Sequence, residues 1–237
     1  MDVGVVIPAL NEERSVRRAV EGLAPHAQRV VVVDNGSTDR TREEAERGGA
    51  TVVEEPRRGY GRACLTGIAA LGDADVILFA DADLADDPED APRVLAPLLA
   101  GRADLVIGSR TRGAAEAGAL LPQARLGNAL ATFLMRVLFG VRATDLGPFR
   151  AIRSDALARL GMRDETWGWT VEMQIRAARA GLRVEEVPVA YRRRVGTSKI
   201  SGTIAGSARA GAKILATILR HRVLPPPLGT PDPGRTS

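Results

Sequence analysis

The sequence contains almost no cysteine or histidine. Among 237 residues there is one cysteine, Cys64, and there are two histidines, His26 and His221. A single cysteine excludes an internal disulfide and a zinc site built from several cysteines. The two histidines stand in unrelated sequence surroundings, which disfavours a histidine-based metal site and Ser-His-Asp catalysis. We therefore expect any chemistry to depend on carboxylates, arginines, backbone amides and a hard metal ion.

Long apolar runs are also absent, because no uninterrupted apolar stretch approaches the roughly 18 residues of a membrane-spanning helix. The amino terminus begins on an apolar, strand-like segment without the charged and apolar regions of a signal peptide, so we expect a cytoplasmic protein. Lys plus Arg is 33 and Asp plus Glu is 29, which gives a net charge of +4. Because no Lys/Arg block stands out, we expect no nucleic-acid partner.

The first half of the chain alternates short apolar runs with helical patterns. Continuous Val/Ile/Leu runs predict buried strands at 3–8, 29–34, 51–54, 76–79 and 105–108. Helical patterns lie between them at about 12–23, 38–48, 60–71 and 88–100. This alternation indicates an α/β fold with a central, mainly parallel, doubly wound sheet. In such a sheet, ligands bind beyond the carboxyl ends of the strands.

The second half of the chain gives weaker signals of secondary structure. Residues 111–123 are rich in Gly and Ala and lack apolar periodicity, so they predict a loop. Beyond this loop, apolar patterns predict helices at 125–139, 171–180 and 202–223 and strands at 149–152 and 184–189. The tail, 225–237, begins with three prolines and is predicted to be disordered.

The strongest local signal is an Asp-x-Asp pair, Asp81 and Asp83, directly after the predicted strand 76–79. Two carboxylates at this spacing can approach one divalent cation that also binds a diphosphate, and such oxygen ligands suit Mg²⁺ or Mn²⁺. The alternative is a set of solubilising acids, since Asp86 and Asp87 follow closely. The position of the pair at the end of a strand favours the metal site.

Polar residues also follow the first two predicted strands. Asp34 ends the second strand and can accept hydrogen bonds from a base or a ribose, while the turn at Gly36 and the helix start behind it suit a phosphate. Asn11 and Glu12 close the first strand, although they could serve only as a helix cap and a first-turn acid. The segment 57–63 lacks the last glycine of a dinucleotide fingerprint, so we reject a Rossmann dinucleotide site.

Together these segments resemble the family-2 inverting glycosyltransferases. The matching strings are Pro-Ala-Leu-Asn-Glu at 8–12, Asp-Asn-Gly-Ser-Thr-Asp at 34–39, Arg-Arg-Gly-Tyr-Gly-Arg-Ala at 57–63 and Asp-Ala-Asp-Leu at 81–84. Five downstream segments, at 108–110, 145–152, 171–177, 186–189 and 194–199, are similar to those of dolichyl (polyprenyl) phosphate mannosyltransferases and their glucosyl relatives. The resemblance extends in the right order from about residue 3 to residue 200.

The resemblance implies a GT-A fold, a three-layer α/β sandwich that binds a nucleotide sugar, over residues 1–200. The segment 201–224 would then be an amphipathic C-terminal helix, followed by the tail. The implied reaction is the transfer of mannose or glucose, with inversion, from a GDP- or UDP-sugar to a polyprenyl phosphate. Asp81 and Asp83 would bind the Mg²⁺ or Mn²⁺ that bridges the donor diphosphate.

The resemblance also implies roles for individual side chains. The nucleotide-binding set would be Pro8, Leu10, Glu12, Asp34, Arg58, Asp81 and Ala82. The phosphate-binding set would be Arg125, Arg194 and Lys199, and the catalytic set would include Asp83, Arg110 and Arg150. Chemical reasoning apart from the resemblance adds Glu172 to the catalytic set. A phosphate acceptor is already anionic and needs little base catalysis, whereas a hydroxyl acceptor would need Glu172 to take its proton. Alternatively, Glu172 could be a helix-capping or arginine-pairing acid.

Alternatives remain open for what covers two apolar helix faces and for which acceptor the protein uses. The faces of 126–141 and 203–223 carry nearby basic residues, so each could lie at a membrane surface or pack on the domain. The face of 203–223 could also pair subunits in a homodimer. For function, the runners-up are a soluble family-2 transferase that acts on a small hydroxyl acceptor and a nucleotide-sugar-binding protein without turnover.

Overall fold

The computed structural model describes residues 1–196, 204–224 and 227–229, and the side chains of 204–208 are outside that description. Its centre is a seven-stranded sheet with the strand order β3-β2-β1-β4-β6-β5-β7. Only β6 runs antiparallel to its neighbours, β4 and β5. The strands are β1 Val3–Ala9, β2 Arg29–Asp34, β3 Thr51–Glu54, β4 Val76–Phe79, β5 Leu105–Ser109, β6 Arg150–Arg153 and β7 Val184–Pro188. The predicted strands therefore lie within one or two residues of the observed ones.

Helices cover both faces of this sheet, because successive residues of the buried strands point to opposite faces. Val5 and Ile7 of β1 pack with α1 and α4, whereas Val6 packs in the other cluster with α3 and α7. The helices are α1 Val16–Leu23, α2 Thr41–Arg47, α3 Tyr60–Leu71, α4 Ala91–Leu99, α5 Pro122–Phe139, α6 Ser154–Leu160, α7 Trp169–Arg179 and α8 Ile204–Val223. The predicted three-layer α/β sandwich is confirmed.

One helix, α6, was not predicted from the sequence. Its seven residues are too few to show a helical repeat clearly, although Gly161, at a φ of +59°, ends it in the left-handed conformation that favours glycine. The first helix is also shorter than predicted. Residues 13–15 form a turn instead of a helix, and Asn11 before them adopts a positive φ of 53°.

A third apolar cluster joins α5, α7 and α8 outside the sheet. It contains Ala131 and Met135 of α5, Val171 and Ile175 of α7, and Ile218 of α8. The C-terminal helix therefore packs on the same domain as the rest of the chain. No helix in the described ranges is long and apolar enough to cross a membrane. Most of the predicted tail, 225–237, lies outside the described residues.

Candidate active site

The ends of β1, β2 and β4 meet at one edge of the sheet and form the wall of a cavity of about 530 Å³. This donor cavity, as we call it here, brings together most of the predicted nucleotide-binding residues. Its lining includes Pro8, Leu10, Glu12, Arg58, Asp81, Ala82, Asp83 and Arg194. Side chains that are far apart in sequence meet here because parallel strands end at the same edge.

The Asp-x-Asp pair lies at the bottom of the donor cavity and its carboxylates influence each other. Tyr60 donates a hydrogen bond of 3.2 Å to Asp81 Oδ1, and Asp83 Oδ1 accepts one of 2.9 Å from the Ala85 amide. Burial, together with the charge of Asp83, raises the pKa of Asp81 to about 7. Leu84, directly after the pair, has a positive φ of 58°, which is unusual for a bulky residue. The pair is therefore held in a strained, buried turn.

Arg194 connects these acids to the first strand. Its Nη2 lies 2.9 Å from Glu12 Oε1 and 3.2 Å from Asp83 Oδ2. The Val195 amide also donates to the Asp83 carbonyl at 2.9 Å. Since Arg194 is some 110 residues beyond Asp83 in the sequence, only the fold brings its guanidinium into the cavity beside the acid pair.

Asp34 does not line the donor cavity; its neighbour Asn35 does. Asp34 Oδ1 instead accepts a 2.8 Å hydrogen bond from the Ser37 amide and shapes the turn after β2. Asn35 donates to the carbonyls of Glu55 and Arg57 and accepts from the Gly59 amide, each at 2.8 Å. Asn35 therefore fixes the loop that carries Arg58 into the cavity.

The segment before α7 closes the donor cavity on the opposite side. A Cβ at Gly61 would lie 1.9 Å from the Asp164 carbonyl oxygen, so glycine is needed for the close approach of this segment to α3. The segment carries Trp167 into the cavity wall, whereas Trp169 is buried and makes an edge contact with Phe79. The two tryptophans therefore have different roles.

Two cations of α8 in the cavity lining were not among the predicted site residues. Arg209 and Lys213 both line the donor cavity, and Lys213 Nζ lies 3.0 Å from Asp164 Oδ2. Their spacing of four residues places them on one side of the helix, and this spacing was the only signal in the sequence. With them, the described lining contains four cations (Arg58, Arg194, Arg209 and Lys213) against three carboxylates (Glu12, Asp81 and Asp83).

A second cavity, of about 310 Å³, lies between α5 and α8 and adjoins the first at Tyr60, Asp81 and Trp167. We call it the acceptor cavity. Its far wall is largely apolar and small, with Ala124, Gly127, Leu130, Leu146, Pro148, Ala210, Gly211, Ile214 and Leu215 in the lining. Arg110 is its charged lining residue on the side of β5. The cavity thus combines one polar end with an apolar length.

Arg110 is held by the carboxylate of Asp145, for which no role was predicted from the sequence. Its Nε and Nη2 lie 2.9 and 2.6 Å from the two oxygens of Asp145, which is fully buried. The guanidinium also stacks over the ring of Tyr191, 5.1 Å from its centroid. Asp86 lies in the same charged region, and neither of its oxygens has a hydrogen-bond partner in the part of the chain that the structure describes.

Arg150 is not placed to act on a substrate, which corrects its predicted catalytic role. Its side chain is fully buried. The guanidinium donates to the carbonyls of Leu146 and Thr170 at 3.0 Å and also to that of Gly147. Burial lowers the pKa of Arg150 to about 10. Its donors are directed to backbone oxygens, so it positions the 146–147 loop and the start of α7.

Glu172 is also a structural residue. It pairs with an arginine, which was the alternative to its predicted role as a catalytic base. Glu172 Oε1 lies 2.9 Å from Arg176 Nε and 3.6 Å from His221 Nε2. Glu172 Oε2 accepts from the Arg163 and Asp164 amides at 2.9 and 2.6 Å. Burial would raise the pKa of Glu172, but the hydrogen bonds and the Arg176 charge outweigh it and lower the pKa to about 2. This carboxylate is therefore a poor base.

Neither of the other two predicted phosphate-binding residues is among the described residues that line the donor and acceptor cavities. Arg125 is exposed on α5 and lines a separate cleft, and Lys199 lies outside the described residues.

A divalent cation would fit the Asp-x-Asp pair only together with other ligands. Within residues 1–196, 204–224 and 227–229, no three Asp, Glu, His or Cys side chains are grouped so that they could hold a metal ion. Asp81 and Asp83 offer two carboxylates, and Mg²⁺ is commonly held by one or two carboxylates together with substrate phosphates and water. The pair therefore suits a metal that arrives with, or is completed by, a phosphorylated ligand.

The amino-acid sequence matches the family model described as glycosyl transferase family 2 over residues 4–161. A glycosyltransferase of Mycobacterium tuberculosis without an assigned substrate is 42% identical over 207 residues, which are 86% of this chain and 92% of the relative. A dolichyl-phosphate hexose transferase of Haloferax volcanii is 35% identical over 229 residues, 94% of this chain and 96% of the relative.

Among solved structures, the chain is similar to glucosyl-3-phosphoglycerate synthase from Mycobacterium tuberculosis. The TM-score is 0.78 at 24% identity, over 95% of this chain and 81% of that one. That enzyme was crystallised with Mn²⁺, UDP and glucosyl-3-phosphoglycerate. The likeness shows that the sheet and its flanking helices have the GT-A fold, which confirms the predicted architecture.

Proposed function

Because the chain belongs to glycosyl transferase family 2 and is a glycosyltransferase, we propose that it transfers a hexose from a nucleoside diphosphate sugar to a polyprenyl phosphate, with inversion. The observation that carries this proposal is the acceptor cavity, which has an apolar length and one polar end that meets the donor cavity at Asp81. A polyprenyl phosphate combines an isoprenoid chain with an anionic end group, which is the chemistry that such a cavity accommodates.

The donor cavity supports the nucleotide-sugar half of the proposal. Its four cations exceed its three carboxylates by one, and Asp81 and Asp83 would hold an Mg²⁺ or Mn²⁺ ion that adds two positive charges for the diphosphate. When bound, the metal would act as a Lewis acid that stabilises negative charge on the diphosphate. Glucosyl-3-phosphoglycerate synthase binds Mn²⁺ and UDP, and we extend this metal use to the present chain.

The proposed reaction requires no proton transfer. An oxygen of the acceptor phosphate attacks the anomeric carbon of the hexose on the face opposite the nucleotide. The new carbon–oxygen bond forms as the bond from this carbon to the β-phosphate oxygen breaks, and the electron pair leaves with the nucleoside diphosphate. Arg194 and Lys213 would stabilise the charge that develops on the leaving diphosphate, since both line the donor cavity.

The position of Glu172 removes it as the general base that a hydroxyl acceptor would need. A hydroxyl would need a general base within hydrogen-bond distance, and Glu172 was the predicted base. That carboxylate is buried in its pair with Arg176, and it lines neither the donor cavity nor the acceptor cavity. The dolichyl-phosphate hexose transferase relative is consistent with a lipid phosphate, because its name describes such a reaction.

Two measurements test the donor and the acceptor separately. Calorimetric titration with GDP-mannose and with UDP-glucose, with and without Mn²⁺, should reveal one donor whose affinity depends on the metal. Transfer of radiolabelled hexose into an organic phase should then require added polyprenyl phosphate. Transfer to a small water-soluble hydroxyl acceptor alone would support the soluble-transferase alternative, and donor binding without any turnover would support a non-catalytic binding protein.

The metal role is tested by Asp83→Asn with Asp155→Asn as the matched control. Asp155 is an exposed carboxylate in the first turn of α6, so its loss should leave transfer unchanged. Asp83→Asn should reduce transfer and remove the Mn²⁺ dependence of donor binding. If the Asp83 variant retained both, the assignment of the metal to this pair would be wrong.

A further inference from the structure

The outer side of α5 carries a row of exposed apolar side chains. The row consists of Leu126, Leu130, Phe133 and Val137, whose exposed fractions are 73%, 45%, 60% and 63%. We call it the α5 ridge. Its residues follow one another at intervals of three and four, so they form a single stripe about 16 Å long on the helix. The apolar face predicted at 126–141 is thus only partly covered: Leu134 and Leu138 pack against the third apolar cluster, whereas the residues of the ridge do not belong to it.

Basic side chains flank the α5 ridge along one side. Arg125 and Arg136 are exposed, and no ion pair in the described part of the chain involves either of them. Together with Arg110 they line a cleft of about 710 Å³, which also contains Thr111, Thr132 and Thr144. Free arginines and hydroxyl groups in one cleft favour anions that carry phosphate groups.

We propose that the α5 ridge binds to the surface of an anionic lipid bilayer, with Arg125 and Arg136 on the lipid headgroups. An exposed apolar stripe beside arginines is the arrangement by which an amphipathic helix lies in a bilayer interface. This inference rests on the proposed function, because a membrane-embedded acceptor has to be reached from the membrane surface. Leu130 belongs both to the ridge and to the lining of the acceptor cavity. A lipid could therefore pass from the bilayer into the cavity beside α5.

The charges favour a bilayer over a second copy of the chain as the occupant. In an antiparallel two-fold pairing of the α5 ridges, the arginines along the flank of one copy would lie on the same side as those of the other. Like charges at such an interface oppose association. An anionic bilayer instead pairs each arginine with headgroup phosphate, which contributes about a fivefold increase in affinity per arginine.

Vesicle flotation of the full chain tests the inference. The wild-type protein should float with phosphatidylcholine vesicles that contain phosphatidylglycerol, and it should float less in high salt. Leu126→Asp and Phe133→Asp should each weaken binding by about tenfold or more, because each removes an inserted apolar side chain. Arg136→Glu should weaken binding to the anionic vesicles. Leu99→Asp, on α4 at the other face of the sheet and 48% exposed, is the matched control and should float like the wild type.

A second readout separates this inference from the proposed function. With a short-chain isoprenyl phosphate in solution and no vesicles, Leu126→Asp should turn over at the wild-type rate, whereas transfer to vesicle-embedded polyprenyl phosphate should fall. If no isoprenyl phosphate served as acceptor, the proposed function would fail, although flotation would still test the ridge. Wild-type protein that does not float, or ridge variants that float as well as Leu99→Asp, would overturn the inference. A dimer in light scattering that the ridge variants dissociate, without flotation, would overturn it in favour of a second copy.

Discussion

Replacing Glu172 with glutamine should damage the fold and leave the chemistry intact. The carboxylate is 2% exposed and neutralises Arg176, which is fully buried, and it lies 3.6 Å from His221 Nε2. A pKa of about 2 in place of an ordinary 4.5 corresponds to about 3 kcal/mol in favour of the charged form. Breaking one partner of a buried ion pair typically costs about 3–5 kcal/mol, since the other charge stays buried without compensation. We therefore expect Glu172→Gln to lower the free energy of unfolding by about 3 kcal/mol.

The assay is urea unfolding followed by tryptophan fluorescence, because Trp169 is buried in the core beside this network. Glu165→Gln is the matched control: Glu165 pairs with Arg62 at the surface, with its side chain 47% exposed, so its loss should cost less than about 1 kcal/mol. The turnover number of Glu172→Gln, measured well below its unfolding transition, should stay within a few-fold of wild type. A loss of turnover of a hundredfold or more with an unchanged unfolding free energy would refute the structural role and restore Glu172 as a catalytic base.

The same network predicts how stability depends on pH. The pKa of Glu172 is lower in the folded chain than in the unfolded chain, so its contribution is fully present above about pH 4.5 and is lost as the pH falls towards 2. Over this pH range the free energy of unfolding of the wild-type protein should therefore fall by about 3 kcal/mol more than that of Glu172→Gln. Equal acid sensitivity of the two proteins in unfolding titrations would contradict the assigned cause.

Three further outcomes follow from the site. Lys213→Ala should weaken donor binding about fivefold in calorimetry, because Lys213 lines the donor cavity, whereas Arg220→Ala on the exposed side of the same helix should not change it. Gly61→Ala should destabilise the fold in thermal unfolding and reduce donor affinity. The new Cβ would lie 1.9 Å from the Asp164 carbonyl oxygen and force the segment before α7 away. Wild-type stability and affinity in this variant would show that the close approach is not needed. Trp169→Ala should cost about 3–5 kcal/mol of stability, whereas Trp167→Ala should raise KM with little loss of stability, and the reverse pattern would contradict their placement in core and cavity.

Much of the fold was predictable because its signals are local. The buried strands β1, β2, β4 and β5 are each built on an apolar run, and such a run appears in the sequence without any knowledge of its neighbours. The same is true of the polar residues directly after the strands. Since parallel strands end at one edge, Glu12, Asp81 and Asp83 were expected to meet there, and the structure brings them into one cavity.

Some partners of buried charges were not predictable, because they depend on packing between distant segments. Glu172, Arg150 and Arg110 have the same chemistry in the sequence whether they face a substrate or a partner within the protein. Only the tertiary structure directs Arg150 to the Thr170 carbonyl and Arg110 to Asp145, whereas Glu172 and Arg176 stand four residues apart on α7, a spacing that already favours their pairing.

The sequence by itself thus determined which elements form and which acids stand at the ends of the strands, because those properties are set by residues adjacent in the chain. Only the tertiary structure decided which charged side chains line a cavity where they can contact a ligand. It turned Arg209 and Lys213 of α8 towards the donor cavity, buried Glu172 in an ion pair and left the α5 ridge exposed. The physical reason is that burial and ion pairing are properties of contacts between elements, and these contacts exist only after the helices have packed on the sheet.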